Sequence, residues 1–325
     1  MHDSRQIRIA TALLVLVLGG VVAFVFRENE SPKPQYFKHQ GTAFGTYYNI
    51  RYEAVASLED SILCRLDEFD ASLSMFDPHS TISVLNQGRD TAWDAYFTQM
   101  YATAQEINAL SHGAFDITVA PLVNAWGFGF ANKQEITPER IDSLRAIKNV
   151  LDASAIAKGQ ACDVIAELLR NNGSENYLVD IGGEVVLHGL NDKGGPWRVG
   201  ITKPIDDVSG AQSEIQEIIA SSDLCMATSG NYRRFYYEDG MRRSHTIDPR
   251  TGYPVCHNLL SATVTASSCM RADALATACM VLGTDSALLL INSLPDAECY
   301  LIYATPADTM AVLKSEGFAL NERTN

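Results

Sequence analysis

No Cys-x-x-Cys pair occurs among the seven cysteines of this 325-residue chain, so the spacing on which a structural zinc site rests is missing. Seven is odd, which leaves at least one thiol unpaired within the chain and fits poorly with a disulfide-built scaffold. Positive charge is also scarce. Lysine and arginine total 25 against 39 aspartates and glutamates, a formal net charge of −14. That balance argues against a nucleic-acid partner, whose binding rests on cations neutralising phosphates. Repeats and low-complexity stretches are absent. What is present, 46% hydrophobic and 20% charged residues, is ordinary globular composition with material for a large core.

Long apolar runs are scarce too, and one is long enough to cross a bilayer. From Ile9 to Phe26 (18 residues) no side chain is charged. Arg5 and Arg8 precede it, and Arg27, Glu28 and Glu30 follow, which is the layout of a secretory signal. No small-x-small cleavage site and no lipid-accepting cysteine follows it. The reading is an uncleaved anchor over residues 1–28, a linker over 29–40 containing Pro32 and Pro34, and a functional domain over 41–325. Lys33 and Lys38 balance the N-terminal basic pair, so charge counting leaves orientation open. The signal-like order places the body on the periplasmic, extracytoplasmic side of an inner membrane. The later apolar residues from Cys279 to Ile291 are broken by Gly283, Thr284, Asp285 and Ser286 and are not expected to span.

Within the body, Leu58, Ile62, Leu63, Leu66, Phe69 and Leu73 recur at helical spacing behind Ser57 as a candidate N-cap. Ala161, Val164, Ile165, Leu168 and Leu169 mark a second amphipathic helix that Gly173 closes, and a third runs from about Ala272 to Leu282. Strands are expected at Tyr177–Ile181, Glu184–His188, Trp197–Thr202, Ser244–Ile247, Ser261–Ala266 and Cys299–Tyr303. Hairpin-like turns such as Asn191 to Gly195 favour antiparallel pairing over β-α-β alternation. The fold class is therefore α+β, with mixed, largely antiparallel sheets and packed helices behind one N-terminal transmembrane helix.

Several segments carry chemistry-bearing residues. Leu151 to Gly159 runs from a strand-like lead through small residues into a helix, where Lys158 suits a phosphate as a point charge or is a surface lysine on a tight turn. Ile181-Gly182-Gly183-Glu184 lacks the full spacing of a dinucleotide-binding loop and reads equally as a bulge or hairpin. In Ser244 to Gly252, His245 is a candidate proton acceptor or a hydrogen-bonded structural residue, and Asp248 before Pro249 is a turn former. Asp273 and Thr277 stand four apart on one helix face. A carboxylate and a hydroxyl there suit a hard cation such as Mg²⁺, and the pair also reads as an aspartate favoured by the helix dipole with a packed threonine. Phe115, Trp126 and Phe128, in the block Gly113 to Gly129, are available to stack a planar heterocycle or to fill the core. Met226 to Arg233 offers hydroxyls and an arginine for a phosphate or for a turn.

Taken in series, these segments resemble the ApbE family of FAD:protein FMN transferases. The matching stretches are Gly41–Thr46, Leu73–Phe76 with Ser80–Asn86, Gly113–Gly129, Leu151–Gly159, Asp180–Glu184, Ala227–Tyr232, Ser244–Gly252 and Ala272–Gly283. The resemblance implies a Mg²⁺-dependent enzyme that splits the pyrophosphate of FAD and joins FMN to a threonine or serine hydroxyl, releasing AMP. Its implied acceptors include membrane subunits of Nqr-type and Rnf-type electron-transport complexes. Carried over by motif position, Asp273, Thr277 and the Ala155 carbonyl look like metal ligands. Phe44, Phe76, Ala114, Phe115, Asp116, Asp152, Lys158 and Ile247 fall at flavin-nucleotide positions, and His245 is similar to the family's histidine beside the reacting phosphate. Phe44 stands where methionine is common, and Phe76 where tyrosine is frequent, so large apolar surfaces are kept and one hydroxyl is lost. On chemical grounds the proton acceptor is His245 or Asp273, with His245 preferred because a ligating carboxylate is a weak base. A pyrophosphatase giving FMN and AMP, and a non-catalytic FAD-binding protein, use the same pocket and are the alternatives.

Overall fold

The computed structural model describes residues 33–129, 132–205, 214–231, 235–238, 241–307 and 309–318. The expected anchor from Ile9 to Phe26 lies outside them, as do Tyr232 and Arg233. Among the described residues no helix is long and apolar enough to cross a membrane. The described residues from Tyr36 onward form one compact unit.

Its strands are β1 (Gln35–Ala43), β2 (Thr46–Ala54), β3 (Tyr177–Ile181), β4 (Glu184–His188), β5 (Trp197–Thr202), β6 (Ile215–Ser221), β7 (Asp223–Gly230), β8 (Phe235–Glu238), β9 (Met241–Ser244), β10 (Leu259–Thr265), β11 (Glu298–Ala304) and β12 (Met310–Lys314). Its helices are α1 (Glu59–Leu73), α2 (Thr81–Asn86), α3 (Ala95–Leu110), α4 (Ala120–Ala125), α5 (Pro138–Arg145), α6 (Ala157–Asn171), α7 (Cys269–Leu282) and α8 (Thr284–Asn292). Eight strands form the main sheet in the order β1-β2-β3-β4-β7-β10-β11-β12. The pairings from β2 to β12 along that order are antiparallel, in keeping with the α+β class.

The central strands are buried on both faces, and alternation sorts their side chains into two cores. Val179, Val186, Ala227 and Leu301 face the large core shared with α1, α3, α6 and α7. Leu178, Leu187, Met226 and Ile302 face a smaller one closed by Trp197, Ile201 and Ile219 of the β5–β6 hairpin. Helix α6 buries the stripe Ala161, Val164, Ile165, Leu168 and Leu169, and Gly173 at φ 80° follows its end. Helix α7 is buried from Ala272 through Ala276 and from Ala278 through Val281. Its small side chains allow close packing between sheet and helices.

Two tight turns aim residues at the site. β1 and β2 are joined by Phe44 and Gly45 at φ 55° and 73°, and β3 and β4 by Gly182 and Gly183 at φ 67° and 101°. Left-handed backbone at both positions matches the twist of a two-residue hairpin, and glycine adopts it freely where phenylalanine does so uncommonly.

Some boundaries differ from those read in the sequence. β1 starts at Gln35, so the second half of the segment read as a linker over 29–40 is strand. Leu58, not Ser57, occupies the N-cap of α1; Ser57 Oγ accepts from the Glu59 N–H at 3.3 Å. α7 begins at Cys269, ahead of Ala272, because Ser268 caps it and Asp163 accepts from the Cys269 and Met270 N–H groups at 2.9 and 2.8 Å. The strand expected over Ser244–Ile247 ends at Ser244, and Ile247 makes only an isolated bridge to Pro254.

Candidate active site

A cavity of about 660 Å³ opens between the β1–β2 turn, the start of α6, the end of β7 and one face of α7. Phe44, Phe76, Ala114, Phe115, Asp116, Asp152, Ala155, Lys158, His245, Ile247, Asp273 and Thr277 all line it. These twelve residues, the ones that the resemblance marks out, thus line one cavity, whereas Trp126 and Asp248 do not line it.

At the closed end, three elements meet. Lys158 stands in the first turn of α6 and its ammonium donates to Glu184 Oε1, at the first residue of β4. The same ammonium lies 4.0 Å from Asp273 Oδ2 on α7. Gly159 makes the close approach of α6 and α7 possible: a Cβ there would lie 2.3 Å from the Cys269 carbonyl oxygen and 2.8 Å from Asp273 Cβ. Its N–H donates to Asp273 Oδ2 at 3.0 Å instead of to the Ala155 carbonyl, which accepts no hydrogen bond among the described residues.

Burial pushes the carboxyls of Asp273 and Glu184 above the usual carboxylate range, against the pull of the Lys158 charge. Burial alone would lower the Lys158 ammonium; the two carboxylates outweigh it and hold the lysine protonated. Two carboxyls thus face a single ammonium in a desolvated corner. Among the described residues, none donates to the second oxygen of Asp273 or to the Ala155 carbonyl. Thr277 Oγ1 lies 3.1 Å from Ser229 Oγ. Such an oxygen set, with one carboxylate, one hydroxyl and one carbonyl, fits a hard cation that retains water and phosphate ligands. Among the described residues no cluster of three or more His, Cys, Asp or Glu side chains suits a metal, so any ion there depends on these neutral oxygens.

The outer end is aromatic. Phe76 is 70% exposed, Phe115 is 2% exposed, and the Phe44 ring meets Phe69 edge-on at 5.4 Å. Asp116 Oδ1 accepts from the Thr118 N–H at 2.8 Å, while Oδ2 accepts from Lys148 at 2.9 Å. Burial raises that carboxyl, but the Lys148 and Thr118 bonds prevail and hold it below the usual range. The Asp152 N–H donates to the Ile117 carbonyl at 2.7 Å, and Asn86 brackets Leu151 with bonds of 2.7 and 2.8 Å. Trp126 Nε1 donates to the Gly252 carbonyl at 2.9 Å, tying the Gly113–Gly129 block to the segment that carries His245. The His245 ring meets Phe128 edge-on with centroids 6.4 Å apart. Asp248 accepts from the Arg250 N–H and guanidinium at 2.9 Å, in keeping with a turn former.

Glu184, Lys148 and Asn86 receive no chemical role from the sequence, and Ser229 is read there only as one of the hydroxyls of Met226–Arg233. Glu184 is 3% exposed and appeared only as the end of a glycine turn. Ser229, Lys148 and Asn86 act through neighbours that are distant in sequence. Their signal was weak, because a polar residue after a tight turn or on a helix face is usually solvated.

An aromatic slot that ends in a buried acid, lysine and hydroxyl cluster has the apolar lining and few convergent polar groups of a small-molecule site. The chain belongs to the ApbE family, whose model matches residues 44–301. It is 38% identical over 282 residues to a FAD:protein FMN transferase of Vibrio cholerae, covering 78% of this chain and 83% of the relative. A FAD:protein FMN transferase of Haemophilus influenzae is 35% identical over 283 residues, 76% of this chain and 81% of that one. Among solved structures, the flavin transferase ApbE from Vibrio cholerae superposes with a TM-score of 0.77 at 35% identity, covering 88% of this chain and 98% of that chain.

Proposed function

We propose that this chain transfers the FMN half of FAD to a threonine or serine hydroxyl of a target redox protein and releases AMP. One observation carries this reading: the aromatic slot and the Lys158, Glu184 and Asp273 cluster share a single cavity sized for a nucleotide. The names of the relatives agree with it.

Phe44, Phe76 and Phe115 supply apolar surface for the flavin ring, and Ala114, Asp116, Asp152 and Ile247 line the nucleotide beside them. Lys158 places a fixed positive charge toward the pyrophosphate. Asp273, Thr277 and the Ala155 carbonyl would hold a divalent ion, Mg²⁺ in this reading. When bound, such an ion supplies charge stabilisation at the phosphoryl oxygens and the departing phosphate. The acceptor hydroxyl oxygen forms the new bond to the flavin-bearing phosphorus, the P–O bond to AMP breaks with its electron pair leaving on AMP, and His245 takes the hydroxyl proton. Asp273 is the weaker base once it serves as a ligand.

The acceptor is read as an exported segment of an Nqr- or Rnf-type membrane subunit, met by a catalytic body held at the periplasmic face of the inner membrane by residues 1–28. The apolar run from Ile9 to Phe26 supports that placement.

Incubation with FAD and Mg²⁺, with and without a co-expressed threonine-containing acceptor, tests the reaction. Transfer predicts an FMN-sized mass addition on the acceptor and stoichiometric AMP. AMP without a labelled acceptor identifies a pyrophosphatase, and intact FAD after long incubation identifies a binding protein.

A further inference from the structure

Lys158 has two carboxylates within reach and is bonded to one. Its ammonium donates to Glu184 Oε1 and stops 4.0 Å from Asp273 Oδ2, outside hydrogen-bond range. The chemistry proposed above makes no use of Glu184, yet this side chain is 3% exposed and its second oxygen, Oε2, accepts no hydrogen bond from the described residues. A buried, half-satisfied carboxylate is costly to keep, which calls for a role.

The scaffold fixes both anions. Glu184 follows the Gly182–Gly183 turn and pairs with Ile181 across the hairpin. Cys162 Sγ, one turn along α6 from Lys158, donates to the Glu184 carbonyl at 3.2 Å. Asp273 is pinned by the Gly159 N–H, from the residue next to Lys158. With the carboxylates held, the variable is which of them the ammonium chooses.

We propose that Glu184 is a positioning residue that holds the Lys158 ammonium off Asp273, so that Asp273 keeps an oxygen face for a divalent cation. Without Glu184, Asp273 is the nearest remaining anion, and a buried ammonium closes on it because an unpaired buried charge is unfavourable. The lysine then competes with the cation for the same oxygens. This inference rests on the reading of Asp273 as a cation ligand.

The test is a double-mutant cycle read as Mn²⁺ affinity by equilibrium dialysis, on the full chain without FAD. Glu184→Gln is expected to weaken Mn²⁺ binding by roughly 10–100-fold, the usual scale for losing a group that orients a ligand. In a Lys158→Met background, with no ammonium left to close on Asp273, the same change should cost less than about threefold, because the interaction being measured is between the two substituted residues. If Glu184 acted only as a nearby negative charge, the loss would be equal in both backgrounds, and that result overturns the proposal.

Glu184→Asp keeps the charge and shortens the reach, so it should also weaken Mn²⁺ binding; wild-type affinity in that variant overturns the proposal. It serves in both backgrounds should Glu184→Gln fail to fold. Asp273→Asn separates the two levels. Loss of Mn²⁺ binding there, with Glu184→Gln unchanged, removes this inference and leaves the ligand reading standing. Wild-type Mn²⁺ binding in Asp273→Asn removes both.

Discussion

At the closed end of the cavity, Asp273 is 2% and Glu184 3% exposed, and their partners on α6 are fixed by backbone packing; at the outer end, Phe76 is 70% exposed. The two ends meet different physical demands. Charges withdrawn from water need counter-charges and hydrogen bonds held rigidly, so the closed end is assembled from a glycine contact, two helices and a glycine hairpin. A flat ring needs only shape and apolar surface, so the outer end tolerates an open aromatic and a strained Phe44 in a turn. Substitutions at the closed end should therefore act on chemistry and folding, and those at the outer end on binding.

The largest test of that division pairs Asp273→Ala with His245→Ala. Asp273→Ala should lower FMN transfer by about 10³-fold or more, together with Mn²⁺ binding. His245→Ala should cost roughly 10²–10⁴-fold in kcat with Mn²⁺ affinity retained. Near-normal transfer by His245→Ala beside an inactive Asp273→Ala would assign proton removal elsewhere.

Next in size is a pH effect at Asp163, which binds the N-terminus of α7 to α6. Burial raises its carboxyl from 3.8 to about 6. A folded-state value above the unfolded one means that the stabilisation is complete below about pH 4 and disappears as pH rises through about 6. At 1.36 kcal/mol per pH unit, the loss amounts to about 3 kcal/mol. Urea unfolding of wild type and Asp163→Asn across this window should show the wild type losing stability relative to the variant; a pH-independent difference would contradict the assignment.

The smallest effect is expected outside. Phe76→Ala should weaken FAD binding about 3–10-fold, an aromatic contact of about 0.5–1.5 kcal/mol, with kcat and melting temperature unchanged. A fall in kcat without a change in FAD affinity would erase the distinction between the ends.

The same contrast governs what the sequence made legible. β3, β4 and β5 match their expected residues, because short apolar runs between turns carry their own boundaries. β1 and β2 are not legible: β1 buries no residue fully, and the buried face of β2 is Tyr48, Ile50, Tyr52 and Ala54, where hydroxyl-bearing tyrosines stand in for the aliphatic residues that mark a strand. The end of β7 falls in Met226–Arg233, read for a phosphate or a turn and not for a strand, since Thr228 and Ser229 line the cavity where apolar residues would mark a strand. Asp273, Thr277 and Lys158 are brought together by the resemblance, and the fold sets all three on one cavity. Glu184 was not legible, because its partner lies 26 positions away and only the folded chain brings the two together.

Anomalous diffraction from crystals soaked with Mn²⁺ and FAD tests the central claim most directly. The account predicts a single strong peak contacted by Asp273 and Thr277, with the pyrophosphate beside Lys158 and the flavin ring against Phe44 and Phe76. A manganese peak away from α7, or the dinucleotide bound outside this cavity, would contradict it.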